Sequence, residues 1–507
     1  MISIGIDVGT TAVKAIAMDP DGAVSGGAFR EYDVISGERG LAEQDSAAVW
    51  RHTKDVIGSV IAQCEDRRLI RAFSISVQGD AVIPVDRNLK PLHNAVLGMD
   101  YRSKKQSAFL AEKFGEKYLY QKTGMRPHPM NSAAKILWFI EERPHVARKT
   151  WKYMTYADYM ISLLGAEEPV IDYTMASRTM LFSLEEEAWM GEILDAMGLD
   201  AAKLSRPAAS GTAAGVLGGA LMDEWGLTSP VTLVTGGHDQ TCAAVGAGVI
   251  REHIAVDSCG TAEVIGAAFK RRPLKNVMFE SFYPCYCHAV KGMHFTFSLN
   301  HTAGMLLKWY RDNFCAEEVR EAAGGNVYAV MEKKCSAGPS SVFVLPHFNG
   351  SGTPWCDLGS RGAFLGLTMS TGRHDITRGI MDSLAYELKI NLGKLCEAGI
   401  AANELRAAGG GANSPLWLQI KADVTGCAVS TLRVREAASL GAAILGLLGA
   451  GFSTLEEAVK KAVHIDRTFT PNPGMAARYG EKFSIYQKIY GALREINSLM
   501  FAEKKNF

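Results

Sequence analysis

The stretch from residue 2 to residue 22, "ISIGIDVGTTAVKAIAMDPDG", decides the fold. Ile2, Ile4, Ile6 and Val8 alternate with Ser3, Gly5, Asp7 and Gly9, the period of a half-buried strand. Gly9-Thr10-Thr11 reads as a tight turn, "AVKAIAMD" as the returning strand, and Pro20-Asp21-Gly22 as the next hairpin turn. The stretch therefore predicts strand, turn, strand, turn, strand, with one acid, Asp7, near the end of the first strand. Glycine lets backbone N–H groups approach an anion closely, and threonine hydroxyls add donors. Such a turn is either a structural hairpin with a capped acid or one half of a phosphate clamp.

A similar pattern recurs in the second half of the chain. "HIAVDSCGTAEVIGAAF" (253–269) is again strand, Gly-Thr turn, strand, with Asp257, Gly260 and Thr261 echoing Asp7, Gly9 and Thr10 at a spacing that differs by one residue. The pair predicts two lobes of related architecture, and 507 residues are too many for one ordinary core. The predicted division is 1–248 and 249–507.

Between the two turns, an amphipathic helix starts at Asp45 or Ser46 and carries Val49, Trp50, Val56, Ile57, Val60 and Ile61. "FSISVQGD" (73–80) follows as a strand that ends on polar residues. Further on, "LRAAGGGANSPLWLQIKADVTG" (405–426) predicts a strand, a glycine-rich turn and a helix. Ser414 is placed as its N-cap, Pro415 at its first position and Gly426 at its stop. Gly409, Gly410 and Gly411 leave a flat floor for a purine or ribose. They do not fit the G-x-G-x-x-G spacing of a dinucleotide site, which counts against a dehydrogenase. "EAASLGAAILGLLGAG" (436–451) predicts a small-residue helix packed closely against a neighbour.

Lys+Arg 54 against Asp+Glu 54 leaves no net charge, which argues against nucleic acid or an anionic membrane as the main partner. The N-terminus lacks the basic region and apolar core of a signal peptide, and "LGAAILGLLGAGF" is too short and glycine-rich to span a bilayer. The 10 cysteines are scattered, as expected of reduced thiols, so the expected location is cytoplasmic. Cys285 and Cys287 of "CYCH" (285–288) lack a second ligand pair at zinc-finger spacing and read as core and loop residues.

"TGGHDQTCAAVGAG" (235–248) sets Asp239 among glycines and small apolar residues, with His238 and Gln240 beside it. A solvated surface acid needs no such surroundings, and a core segment would avoid the charge. The reading is an acid placed for chemistry rather than for solvation or packing.

Together these motifs resemble the FGGY carbohydrate kinases, within the superfamily of ATPases that includes actin, Hsp70 and hexokinase. "IGIDVGTT" matches the first phosphate motif, "SCGTAE" the second and "AGGGANSPLWLQIKADVTG" the adenosine region. "MNSAAKILWFIEE" (130–142) is similar to the first family signature, with Lys135 and Trp138 in their expected places. "GAFLGLTMSTGRHDITRGIMD" (362–382) follows the second, with Gly379 where the family has Ala or Ser.

The resemblance implies an α/β fold of two RNase H-like, actin-like ATPase domains flanking a catalytic cleft. It implies ATP and Mg²⁺, with Asp239 as general base and Asp7 orienting the metal. Gly9, Thr10, Thr11, Gly260 and Thr261 would grip the phosphates, and Gly409, Gly410, Gly411 and Asn413 the adenosine. The acceptor positions map onto "VQGD" (77–80) and "GMDYR" (98–102). Gln78, Asp80, Asp100, Arg102, Asp239 and Gln240 are thus the expected sugar ligands. Asp100 and Arg102 also read as a local salt bridge, and His238 either orients Asp239 or packs.

The expected reaction is ATP-dependent phosphorylation of a small sugar or polyol, a ketopentose such as xylulose being the first guess. Gluconokinase, glycerol or polyol kinase and fuculokinase-like activities are the alternatives. Xylulokinases usually carry Met-His after the glutamine, where Gly79 and Asp80 stand here; glycerol kinases usually carry Arg-Glu. "ASRTMLF" (176–182) resembles glycerol kinases except for Met175, and "HPM" (128–130) resembles gluconokinases. A carboxylate at position 80 repels a sugar acid unless Arg102, His128 or Arg178 offsets it. A non-catalytic ATP-binding protein like actin or Hsp70 is the reading from another class, and the acceptor stretch and Asp239 speak against it. Homodimerisation is common in the family, and no interface is legible in this sequence.

Overall fold

The protein is described by a computed structural model covering residues 1–37, 40–270, 276–434 and 436–503. The chain opens with β1 (Ile2–Val8), β2 (Ala12–Met18) and β3 (Val24–Glu31), an antiparallel meander in which Asp7 pairs with Lys14. Helix α1 (Ser46–Gln63) follows; the Asp45 carboxylate caps it by accepting from the Ala47 and Ala48 N–H groups, and Val49, Val56, Ile57, Val60 and Ile61 are buried. It leads into β4 (Ile70–Val77), which runs parallel to β1. After helices α2 (Ser132–Glu142) and α3 (Tyr173–Arg178) come β5 (Ala213–Val216), β6 (Thr232–His238) and α4 (Asp239–Gly246). The strands lie in the order β5-β6-β4-β1-β2-β3, with β6 parallel to β4.

The second half repeats this wiring. Its strands are β7 (His253–Cys259), β8 (Glu263–Phe269), a short β9 (Tyr286–Cys287) and β10 (His294–Asn300). Helices α5 (Gly304–Phe314) and α6 (Arg373–Glu397) then precede β11 (Ala402–Ala408), α7 (Pro415–Thr425) and β12 (Ala428–Leu432). Helix α8 (Ala437–Gly449) and β13 (Ile465–Phe469) complete the set. The sheet runs β9-β10-β8-β7-β11-β12-β13, with β9 antiparallel to β10, β7 antiparallel to β8 and parallel to β11, and β11 parallel to β12. In each half an antiparallel first pair of strands is extended by parallel strands beyond its first strand. Both halves are RNase H-like domains.

The compact units are not two contiguous halves. One comprises Met1–Ile250, Pro284–Phe295 and Glu436–His464; the other Arg251–Tyr283, Thr296–Arg435 and Ile465–Phe507. A division at 248/249 therefore leaves out two segments that return to the first unit. The first return is held by its backbone: Cys285 N–H donates to the Gly124 carbonyl (2.9 Å) and Cys287 N–H to Ser177 Oγ (3.2 Å). The second is α8, and its small residues explain the approach. A Cβ on Gly441 would stand 1.8 Å from the Cys242 carbonyl oxygen of α4, and one on Gly5 of β1 would stand 2.0 Å from the Ser439 carbonyl oxygen.

Gly441→Ala must therefore push α4 and α8 apart. Overpacking of this kind costs about 1–3 kcal/mol, read as a lower urea midpoint for the first unit. Gly480→Ala, where a Cβ would meet nothing within 4 Å, serves as the control and should leave the midpoint unchanged or raise it. The departure at Gly379 has the same kind of cause: a Cβ there would lie 2.7 Å from the Val342 carbonyl oxygen. Among the described residues, no helix is long and apolar enough to cross a membrane.

Candidate active site

Parallel strands deliver their C-terminal ends to one edge of a sheet, where such folds bind ligands. In the first unit β1, β4 and β6 do so: Asp7 is level with Ser76, and Ser76 with Gly237. That edge therefore gathers Asp7 and the Gly9 turn, then Gln78 and Asp80, then His238 and Asp239.

Asp239 is the first residue of α4, and a third of its side chain remains open. Burial and the like charge of Asp7 push its carboxyl up to about 7, against the Gln240 N–H bond and the Arg178 charge. His238 Nε2 lies 3.2 Å from Asp239 Oδ1, yet that oxygen has no aligned hydrogen-bond donor. His238 itself is 5% exposed. Burial and nearby Arg178 hold its imidazole far below the usual histidine range, so it is neutral. Gln240 follows on the first turn of α4 and is partly exposed.

Asp80 is the second acid at this edge. Its backbone is left-handed (φ 66°), a region that aspartate tolerates better than most residues. One carboxylate oxygen, Oδ2, takes the Arg178 guanidinium, and the other, Oδ1, is buried with no hydrogen-bond partner. Asp7 accepts from the Ser76 hydroxyl (2.7 Å), and burial pushes its carboxyl up to about 6 despite Ser76 and Lys14.

The Gly9–Thr11 turn is braced through its carbonyls. Tyr32 Oη donates to the Gly9 carbonyl (2.6 Å), and Gln44 Nε2 to that of Thr10 (2.5 Å). Gln78 spends its amide N–H groups on Gln44 Oε1 (2.8 Å) and the Gly9 carbonyl (3.2 Å). The N–H groups of Gly9 and Gly260 close their own hairpins, onto the Ala12 and Ala262 carbonyls at 2.9 Å. The donors these bonds leave in the two turns are those of Thr10, Thr11 and Thr261, all at least partly exposed.

Asp100 and Arg102 stand apart from this edge chemistry. Asp100 is 0% exposed and accepts four bonds: Arg102 N–H and Nε at 2.9 Å, Ala42 N–H at 2.7 Å and Arg102 Nη2 at 2.8 Å. A carboxylate has about four lone-pair sites, so Asp100 has none left for a hydroxyl. Arg102 also binds Glu43 (2.6 Å) and stacks 4.9 Å over Trp138. The local salt bridge is thus formed.

The second unit holds a cavity of about 780 Å³ lined by Gly260, Thr261, Gly410, Gly411 and Asn413. Trp309, Tyr328, Trp417, Lys308 and Glu332 form other parts of its wall. Sequence reasoning passed over Trp309 and Tyr328, because an aromatic on an apolar helix face reads as core. Gly409 does not line the cavity. Its φ of 76° and a Cβ position 2.6 Å from the Cys259 carbonyl oxygen place it at the close approach of β11 to β7. Asp257, the echo of Asp7, is buried against Lys421 Nζ (2.6 Å), which also lies 2.7 Å from Glu263 Oε1. One extra residue before the turn puts Asp257 on the opposite face of its strand from the one Asp7 takes, because side chains alternate.

The N-terminal domain model of the FGGY family of carbohydrate kinases matches residues 2–246, and its C-terminal domain model residues 255–450. The chain belongs to that family. It is similar to a xylulose kinase of Staphylococcus epidermidis, 28% identical over 503 residues, covering 98% of each chain. A glycerol kinase of Klebsiella pneumoniae is 28% identical over 486 residues, covering 92% of this chain and 93% of its own. The crystal structure of a xyloylose kinase from Brucella ovis superposes with a TM-score of 0.88 at 26% identity, covering 98% of this chain and 100% of that one.

As an FGGY carbohydrate kinase, with ATP as phosphoryl donor, the protein puts its first signature to a local use. Lys135 on α2 is 0% exposed and donates to the carbonyls of Asp80 (2.8 Å) and Met130, while burial pushes its amine down to about 8. The signature lysine thus fixes the left-handed turn that aims Asp80. The glycine before it is equally constrained: a Cβ on Gly79 would lie 2.7 Å from His238 Nε2. Where xylulokinases usually carry methionine, this FGGY kinase has given the space to an imidazole.

Proposed function

We propose that this kinase phosphorylates an uncharged ketose or polyol, with a ketopentose such as xylulose first among them, and that Asp239 takes the proton of the attacking hydroxyl. One observation carries the reading. The site has two carboxylate oxygens without hydrogen-bond partners, Asp239 Oδ1 and Asp80 Oδ1, at the ends of neighbouring parallel strands. Unfilled carboxylate oxygens call for hydroxyl donors and repel an anion. The full-length similarity to a protein named xylulose kinase supports the ketopentose. Asp80, an acid where glycerol kinases usually carry Glu, favours a polyol such as glycerol as the second reading.

On this reading Asp80, held by Arg178 and Lys135, receives acceptor hydroxyls, while Gln78 and Gln240 flank them. Asp239 accepts the proton as the acceptor oxygen attacks the γ-phosphoryl group, a transfer that depends on positioning and charge neutralisation. Thr10, Thr11 and Thr261 donate to the phosphates, Gly410, Gly411 and Asn413 border the adenosine, and Trp309 and Tyr328 offer faces to the purine. Mg²⁺ fits the chemistry of Asp7, a desolvated carboxylate at this edge of the sheet, since a hard oxygen of this kind suits a hydrated magnesium ion. When bound, the ion neutralises phosphate charge. Asp7 would orient it.

The test is ADP release from MgATP across ketopentoses, deoxyketoses, polyols, glycerol and aldonic acids. Turnover with a neutral ketose or polyol is expected, and turnover confined to aldonic acids would sink the proposal. ATP hydrolysis indifferent to every acceptor would favour the actin-like ATP-binding class instead.

A further inference from the structure

We infer that Lys421 is a positioning residue for the nucleotide. Its ion pairs hold α7, with the glycine turn that precedes it, against the hairpin that carries Gly260 and Thr261. The inference rests on the placement of ATP along the cavity of the second unit. It assigns work to the buried Asp257 and Glu263, which the reaction itself does not use.

The two strands of that hairpin are β7 and β8, and Cys259 pairs with Glu263 across it. Alternation puts Asp257, Cys259 and Glu263 on one face of the sheet. Lys421 meets this face from α7: its Nζ donates to Asp257 Oδ2 (2.6 Å) and forms an ion pair with Glu263 Oε1 (2.7 Å). One lysine thus takes an acid from each strand, and all three residues are at most 2% exposed. Trp417 stands four residues earlier on the same face of α7, its ring centroid 4.8 Å from Lys421 Nζ. Trp417 and Cys259 both line the cavity, so the three charged groups back its wall.

Backbone bonds hold the turn from another side. The Ala303 and Gly304 N–H groups donate to the Thr261 and Gly260 carbonyls, both at 3.0 Å, which fixes the turn to the start of α5. The glycine turn before α7 touches the hairpin as well, since a Cβ on Gly411 would lie 2.8 Å from the Cys259 Cβ. Helix α7 is therefore gauged at two points, by the glycine contact before its start and by the ion pairs further along. Replacing a buried ion pair with apolar side chains of similar size is often neutral or stabilising. What these pairs add is direction. A ligand that bridges two walls binds tightly where their spacing is already set, because otherwise binding must order them.

Three variants of the full chain, titrated calorimetrically with MgADP and with adenosine, test the tie. Lys421→Met keeps the aliphatic stem and removes the amine. It is expected to raise the MgADP Kd by about tenfold, the lower end of what a hydrogen bond to a charged group is worth. The adenosine Kd should stay within about twofold, because adenosine does not bridge to the phosphate turn. In turnover, KM for MgATP should rise while kcat stays within about twofold. Lys421→Met strands two acids, so its urea midpoint falls. The triple variant Lys421→Met, Asp257→Asn and Glu263→Gln removes every charge, and its amides at 257 and 263 are within hydrogen-bond reach of one another, as the carboxyls are. It should recover the urea midpoint and keep the MgADP deficit. Thr261→Val removes a donor from the turn and should weaken MgADP but not adenosine.

If Lys421 only neutralises its two acids, the triple variant binds MgADP as the wild type does, and that result overturns the inference. The triple variant decides alone if Lys421→Met does not fold. Adenosine weakened as much as MgADP also overturns it, because the wall itself would then be damaged rather than its spacing. Thr261→Val separates the tie from the placement of the nucleotide. If it weakens MgADP while the triple variant binds normally, the placement stands and the tie falls; if it leaves MgADP unchanged, the phosphates do not meet this turn and both fall.

Discussion

Asp239→Asn is expected to lower kcat by about 10²–10⁴-fold, the worth of general-base assistance, while MgADP binding stays unchanged. Asparagine keeps the size of the side chain. It cannot accept the hydroxyl proton. A loss of this size corresponds to about 3–5 kcal/mol of transition-state stabilisation, far beyond what one altered hydrogen bond contributes. The nucleotide-sized cavity belongs to the second unit and contains no residue of α4, so MgADP titration should separate lost chemistry from lost fold.

The same carboxyl should set the acid limb of kcat/KM. An aspartate near its ordinary value would keep the rate flat down to about pH 5. With the Asp239 carboxyl at about 7, pushed there by burial and Asp7, the ionised fraction falls as pH drops through that value, and kcat/KM falls with it. A profile flat from pH 8 to 5 would contradict the assignment, because the free enzyme's essential base would then titrate elsewhere.

Much of this site was legible because its signals are local. The strands of the opening meander follow from alternation, the helix starts from Asp45 and Ser414, and the turns from glycine and threonine; all are formed as those residues dictate. What stayed hidden depends on distant chain. The sequence offers Arg102, His128 and Arg178 alike as counter-charges for Asp80, and only the fold selects Arg178; nothing local announces that Tyr286, far along the sequence, lies within the first unit beside His238. Two glycine-lined approaches, Gly79 under His238 and Gly441 over Cys242, likewise show their reason only once the partner is in place. The echo at Asp257 announced the second lobe correctly but says nothing of where its acid points. A single added residue reverses the face of a strand, so similarity of composition around a turn does not carry the orientation of the acid before it.

Arg178→Met tests the other half of the site and should have the largest effect on stability. Arg178 and Asp80 are 2% and 3% exposed and form an ion pair. Removing one member of a buried pair leaves the other charged and uncompensated, which costs about 3–5 kcal/mol. Methionine fills much of the volume, so the loss reflects charge rather than a cavity. Asp80→Asn in the same background removes the stranded charge and, since asparagine also tolerates the left-handed backbone, should restore most of the stability. It should not restore turnover, because the neutral amide no longer offers a charged oxygen to the acceptor hydroxyls. Acceptor KM should therefore remain raised by about tenfold or more, as expected for a lost charge-assisted hydrogen bond, while urea denaturation returns toward wild type. If the double variant regained both stability and acceptor affinity, Asp80 would be a structural counter-ion for Arg178 and not a ligand for the sugar.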